Sequence, residues 1–176
     1  MTPELLNAAT ACGARMAAVW AAPITDAMAA YEITTRYRQA AFLAQTAHES
    51  LGFAWVRERW NPEQVPAQAG YEGRADLGNV VAGDGYFFRG RGLIQVTGRA
   101  NYAACGKALG LPLLAHPELL EEPENAARSA GWFWSTRGLN ALADQQLFSA
   151  ITKRINGGQN GAADRVERYH RALAAL

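Results

Sequence analysis

The sequence predicts an α+β fold, predominantly helical, in one unit spanning residues 1–176. Three features predict it. Ala-rich segments near both ends carry apolar residues at helical spacing. A central stretch from Asn61 to Arg89 is broken by Gly and Pro. Between these regions, Leu93-Ile94-Gln95-Val96-Thr97 alternates as a short strand does, which supplies a small β element.

Taken in order, residues 3–21 and 23–50 predict two helices. Ala40, Leu43, Ala44 and Ala47 share a face of the second, and Thr25-Asp26 stands near its start as a cap. Pro62, Pro66, Gly70, Gly73, Gly78, Gly83 and Gly85 mark a long loop, of a length that often carries function. After the strand at 93–97, a helix over 101–109 is ended by Gly110 and Pro112. Three more helices are expected near 123–136, 144–155 and 162–175, with turns at Gly138 and at Asn156-Gly157-Gly158. No repeat and no Gly/Ser or Pro-rich linker divides the chain.

Composition narrows the function classes. The chain has 176 residues, within the ordinary range of one domain, and 49% of them are hydrophobic, enough to bury a core. Its net charge is +1, from 17 basic and 16 acidic residues, so no global field recruits nucleic acid or an anionic membrane. Nearly all the basic residues are arginines, which suit forked hydrogen bonds to carboxylates and amides. Cys12 and Cys105 form no CxxC pair and read as two buried thiols. The first residues lack a basic segment followed by an apolar core, and no apolar run reaches about 18 residues. Synthesis as a cytoplasmic protein without stable membrane insertion is therefore expected, as is a monomer.

Chemistry concentrates in three segments. In Ala44-Gln45-Thr46-Ala47-His48-Glu49-Ser50, Gln45 and Glu49 share a helix face at i, i+4. Gly52 is a plausible stop, which puts Glu49 at the negative end of the helix dipole. Partial burial there would raise its pKa and suit it to donate a proton in glycosidic cleavage. A solvated glutamate at a helix end fits the same spacing. A zinc site does not, because the second histidine of HExxH is replaced by Gly52 and the other histidines lie elsewhere. No metal or other cofactor is expected, and without GxSxG no serine nucleophile is either.

In Trp55-Val56-Arg57-Glu58-Arg59-Trp60, Glu58 is a second carboxylate that Arg57 or Arg59 could hold ionised, with the tryptophans bounding a sugar cleft. An acid and a separate ionised carboxylate are the division of labour in acid/base glycosidases. A surface Arg/Glu run is the alternative, and Glu63 and Glu72 compete for the role. The third segment, Gly85 to Tyr102, places Gln95 and Thr97 on one face of the predicted strand, able to orient water or sugar hydroxyls. It lacks GxGxxG and GKS/GKT endings, which argues against nucleotide binding.

The order of these segments resembles glycoside hydrolase family 19, a chitinase family of lysozyme-like, two-lobed architecture, and especially its compact phage endolysin branch. The resemblance is carried by Phe42 to Ser50, Tyr71-Glu72-Gly73-Arg74, Asp76 to Asn79, Gly83-Asp84-Gly85, Arg89 to Tyr102, and Ile151 to Gly158. It covers about residues 30–170. It implies Glu49 as general acid, Glu58 as the base that activates water, and Thr97 as a residue holding that water. It implies substrate-binding roles for His48, Gln95, Asn101 and Asn156, and for Arg165 as a cleft arginine interacting with the base. It further implies inversion, which needs the carboxyls roughly 6.5–9.5 Å apart.

The chain lacks the disulfide set and the chitin-binding module of plant-type members. That departure points toward peptidoglycan glycan strands as substrate, with chitin oligosaccharides as the alternative. A catalytically dead glycan-binding module is a third possibility, against which the presence of both carboxylates argues. Reaching the wall from the cytoplasm would require membrane permeabilisation, as in holin-dependent lysis.

Overall fold

The computed structural model describes all 176 residues. Ten helices follow one another: α1 (Pro3–Thr10), α2 (Ala14–Ala30), α3 (Arg36–Glu49), α4 (Pro66–Ala69), α5 (Asp84–Phe87), α6 (Arg99–Leu109), α7 (Pro123–Thr136), α8 (Leu139–Asp144), α9 (Phe148–Asn156) and α10 (Ala162–Ala175). The predominantly helical architecture is as the sequence predicts, with α7 and α10 on the expected residues.

Several local expectations are corrected. The first helical stretch breaks at Ala11, whose φ is 54°, and Gly13, not at Pro23, which lies inside α2. Burial of Ala17, Trp20, Ala21, Ile24, Ala27 and Met28 against neighbouring helices outweighs the roughly 3 kcal/mol that an internal proline costs. Thr25 is accordingly no cap: its hydroxyl donates to the Ala21 carbonyl one turn back. The segment expected as one helix over 144–155 is divided between α8 and α9 by Gln145–Leu147. Cys105 is buried as expected, but Cys12 is only half-buried.

The strand expected at 93–97 is a tight turn. Arg91 and Val96 close it through reciprocal backbone hydrogen bonds of 3.1 and 2.8 Å. Left-handed φ angles at Gly92 (78°) and Gln95 (55°) curl the chain within that span, so the alternation never becomes extended. The β element survives as antiparallel pairing around Arg57 and Arg91, in which Gly92 N–H donates to Val56 and Glu58 N–H to Gly90.

The buried apolar residues form one cluster. α3 packs on α10, α2 on α7, and α1 on both α2 and α10. Gly131 of α7 lets the backbone approach Tyr31 at the end of α2: a Cβ there would stand 2.2 Å from the ring. The loop region before α6 is fixed by polar bonds instead. Asp84 receives Arg99 on both oxygens, at 2.5 and 2.8 Å, and the Val81 N–H at 3.1 Å. That fork joins the loop to the first turn of α6.

Candidate active site

α3 carries the first carboxylate. The Thr35 hydroxyl caps it by accepting the Arg38 N–H. Every residue from Ala40 to Ala47 is buried, so the helix is enclosed on all sides along that stretch. It ends in a Schellman arrangement: Gly52 N–H donates to Ala47 at 2.7 Å and Leu51 N–H to His48 at 3.3 Å. The left-handed residue that closes this motif is Leu51, at φ 49°, followed by Gly52 at 69° and Phe53 at 67°. Two of these three positions carry side chains that disfavour the conformation, so the turn immediately after Glu49 is strained.

Glu49 is the last residue of α3, as expected, but it does not stand alone at a negative helix end. Arg165 of α10 donates to its Oε1 at 2.5 Å. The Arg165 side chain is 1% exposed and that of Glu49 21%. The same guanidinium bonds the Gln45 carbonyl oxygen and the Asn160 backbone carbonyl. The Gln45 amide in turn donates to Thr152 of α9 at 2.8 Å. Arg165 thus serves Glu49, and its expected interaction with the second carboxylate is corrected. Glu49 Oε2 receives no hydrogen bond from the protein.

His48 and Asn156 belong to the same group. His48 Nδ1 meets Asp164 at 2.6 Å, and Asp164 also accepts from Arg168. Gly161 packs directly on the imidazole, where a Cβ would be 2.4 Å from the ring. Asn156 donates to the Asn160 carbonyl that Arg165 also reaches. Its Oδ1 is the buried side-chain polar atom without a partner. A sugar hydroxyl or water is the kind of donor that would satisfy it.

Glu58 is held in a second group. Oε1 accepts from Gln68 at 2.9 Å and from the Tyr71 hydroxyl at 3.4 Å, and Oε2 from the Gly90 N–H at 3.0 Å. Burial, with Glu58's charge next to it, pushes the Tyr71 phenol above its usual pKa, so it remains a donor. The expected partners lie elsewhere: Arg57 pairs with Glu121, and Arg59 sits 4.1 Å over the Trp55 ring. Trp60 packs against Tyr71 and Tyr86 and walls the groove that contains Glu58. The competitor Glu72 is engaged structurally, with its oxygens accepting the Gly83 and Gly85 N–H groups.

Gln95, Thr97 and Asn101 come together although the strand expected to align them is absent. Thr97 donates to the Gln95 carbonyl at 2.9 Å, and Asn101 to the Thr97 carbonyl at 2.7 Å. All three line a cavity of about 140 Å³ with Trp132 and Phe133. Gly90 links this cavity to Glu58, because its Cα hydrogen faces Gln95 Oε1 and Thr97 Oγ1 while its N–H holds the carboxylate. Gln68 and Tyr71 are holders of Glu58 that no local pattern announced. Their link to it spans 10 and 13 residues through an irregular loop.

The eight predicted residues therefore fall into two groups, His48, Glu49, Asn156 and Arg165 in one, and Glu58, Gln95, Thr97 and Asn101 in the other. The short segment 50–57 joins them. One carboxylate faces a buried cation and the other accepts only neutral donors.

The fold and its relatives define a glycoside hydrolase of lysozyme-like fold. The class I chitinase model of glycoside hydrolase family 19 matches residues 7–171, and the chain belongs to that family. A glycosyl hydrolase family 19 domain-containing protein of Haemophilus influenzae is 35% identical over 171 residues, covering 78% of this chain and 79% of the relative. An Arabidopsis thaliana endochitinase is 39% identical over 136 residues, covering 76% of this chain but 44% of the plant protein. This chain thus spans about half the length of the plant relatives it matches. Chitinase C of Streptomyces griseus superposes with a TM-score of 0.75 at 27% identity, over 98% of this chain and 75% of that one.

Proposed function

We propose that the chain is an endolysin that hydrolyses β-1,4 glycosidic bonds of bacterial peptidoglycan with inversion of configuration. The observation that carries this reading is the placement of two carboxylates on neighbouring elements: Glu49 at the end of α3 with one oxygen free of protein donors, and Glu58 fixed by Gln68, Tyr71 and Gly90 beside Gln95 and Thr97. Glu49 Oε2 donates its proton to the glycosidic oxygen as the bond to the anomeric carbon breaks. Arg165 holds Oε1 and so fixes the direction in which Oε2 points. Glu58, oriented by Gln68, Tyr71 and Gly90, accepts a proton from the water that adds to the opposite face of the sugar. Thr97 and Gln95 position that water, and Asn101, Asn156 and His48 bind the glycan. Both carboxyls return to their starting states by exchanging protons with solvent.

Purified peptidoglycan digested by the wild type should release fragments ending in reducible N-acetylmuramic acid, identified by mass spectrometry after reduction. Glu49→Gln should release none. In this reading the enzyme acts as a monomer and reaches the wall from the cytoplasm once a holin-type lesion opens the membrane. Cells expressing it should therefore lyse on permeabilisation and not before. Chitin oligosaccharides are the second reading, favoured by the endochitinase names of the plant relatives. Their hydrolysis without any wall turnover would establish it.

A further inference from the structure

The groove that contains Glu58 has a feature that acid/base chemistry does not use. It encloses about 490 Å³ and is lined by Arg57, Arg59, Arg89, Glu58, Trp60 and Tyr86 among others. Arg89 is only 7% exposed, yet no carboxylate pairs with it. Its one hydrogen bond runs from Nη1 to the Tyr86 carbonyl at 2.8 Å, and its guanidinium stacks 4.1 Å over the Tyr86 ring. Tyr86 is braced in turn by an edge contact with Trp60. The remaining guanidinium nitrogens are not sealed in the core, since Asn156 Oδ1 alone is both fully enclosed and unpartnered. They open to the groove.

The surrounding charges do not neutralise Arg89. Glu121 already serves Arg57 and Arg91, at 3.3 and 2.8 Å, and the Glu58 oxygens are occupied by Gln68, Tyr71 and Gly90. Arg57, Arg59, Arg89 and Arg91 thus face only the two carboxylates Glu58 and Glu121. Burial, with the charges of Arg91 and Arg57 beside it, pulls the Arg89 guanidinium below its usual pKa. A buried cation without a counter-ion is costly, and a stacked guanidinium has little rotational freedom left to lose on binding.

We infer that this groove is a carboxylate-recognition subsite, in which Arg89, flanked by Arg59 and Arg57, binds an ionised carboxyl group carried by the glycan next to the bond being cut. The inference rests on the reading of Glu58 as a member of the active site. Chitin has no carboxylate to offer, whereas a peptidoglycan strand does, either on the lactyl group of a muramic acid stripped of peptide or on its stem peptide. The fork of Arg89 matches the two oxygens of such a group. The subsite thereby selects the anionic polymer over the neutral one that shares its backbone.

The test is calorimetric titration of Glu49→Gln protein with three tetrasaccharides: chitin, peptide-free peptidoglycan glycan, and the same glycan with its stem peptides. At least one carboxylate-bearing ligand should bind about tenfold more tightly than the chitin oligomer, with an advantage that shrinks at high salt. The ligand that gains identifies the lactyl or the stem carboxylate as the source. Arg89→Gln should bring that affinity down toward the chitin value. Arg59→Gln, at an exposed position, should narrow the gap as well and guards against a folding defect in the buried variant. Equal affinities for all three ligands, or equal losses on all three in both variants, would overturn the subsite. Wall turnover by the wild type tests the endolysin reading separately. A wild type that digests walls but shows equal affinities loses only the subsite, and one that binds the anionic glycan preferentially without cutting walls loses only the endolysin assignment.

Discussion

Arg165 and Glu49 lie 116 residues apart in the chain and 2.5 Å apart in the fold, where they join the end of α3 to the first turn of α10. The guanidinium also bonds Gln45 and the Asn160 carbonyl, so one side chain closes the seam between the two helices. Arg165→Lys keeps the charge but cannot reach all three acceptors from one ammonium. It should lower stability by about 2–3 kcal/mol in urea unfolding, short of the loss for a fully buried pair because Glu49 keeps some contact with water. Hydrolytic activity should fall as well, since Glu49 loses its fixed position.

Gly90 stands between the second carboxylate and the residues assigned to the attacking water. A Cβ at this position would lie 2.6 Å from Gln95 Oε1 and 3.3 Å from Thr97 Oγ1. Gly90→Ala should displace both side chains while leaving the backbone N–H to Glu58. A misplacement of this size costs up to about 100-fold in kcat. Steady-state kinetics beside a far-ultraviolet circular dichroism spectrum will separate lost activity from lost fold, and a variant with wild-type kcat would remove Gln95 and Thr97 from the mechanism.

Asp84 predicts an acid limit for the loop region. The hydrogen-bonded Arg99 guanidinium holds its carboxyl below the usual carboxylate value, despite burial. A group with a depressed native pKa stabilises the fold above its unfolded pKa, about 3.9 for Asp, and loses that contribution as pH falls through the native value. Asp84→Asn should therefore be less stable than wild type at pH 7. The difference should shrink as pH drops below about 4, which thermal melts across that range will show.

Leu51 adopts its left-handed conformation with its side chain 62% exposed, so little burial offsets the strain. Leu51→Gly removes the clash of the Cβ at the helix end. The substitution should leave stability unchanged or raise it by about 1 kcal/mol, with a Tm gain of a few degrees. A clear loss of stability would mean that Leu51 packs in a way its exposure does not reveal.

The sequence was most legible where information is local. The apolar stripes and turn residues of 123–136 and 162–175 place α7 and α10 correctly, and the ordered motifs identify the family. Pro23 misleads because tertiary burial of the α2 face decides that helix, not local propensity. The alternation of 93–97 misleads because the left-handed angles at Gly92 and Gln95 are not visible in the pattern of apolar residues. Glu49 and Glu58 were found as residue types, but not their partners. Arg165 turns to Glu49 only because α10 lies against α3, and Gln68 reaches Glu58 only because an irregular loop folds back. Such pairings are set by the path of the chain, and short-range spacing does not encode them.

The length of chain between Glu49 and Arg165 also bears on the order in which the protein is made. Translation delivers Glu49 well before Arg165, so for a time the emerging polypeptide has α3 without the helix that completes its environment. On the reading of Glu49 as the proton donor, hydrolytic competence waits until α10 has been made. Products that terminate before Arg165 should lack hydrolytic activity.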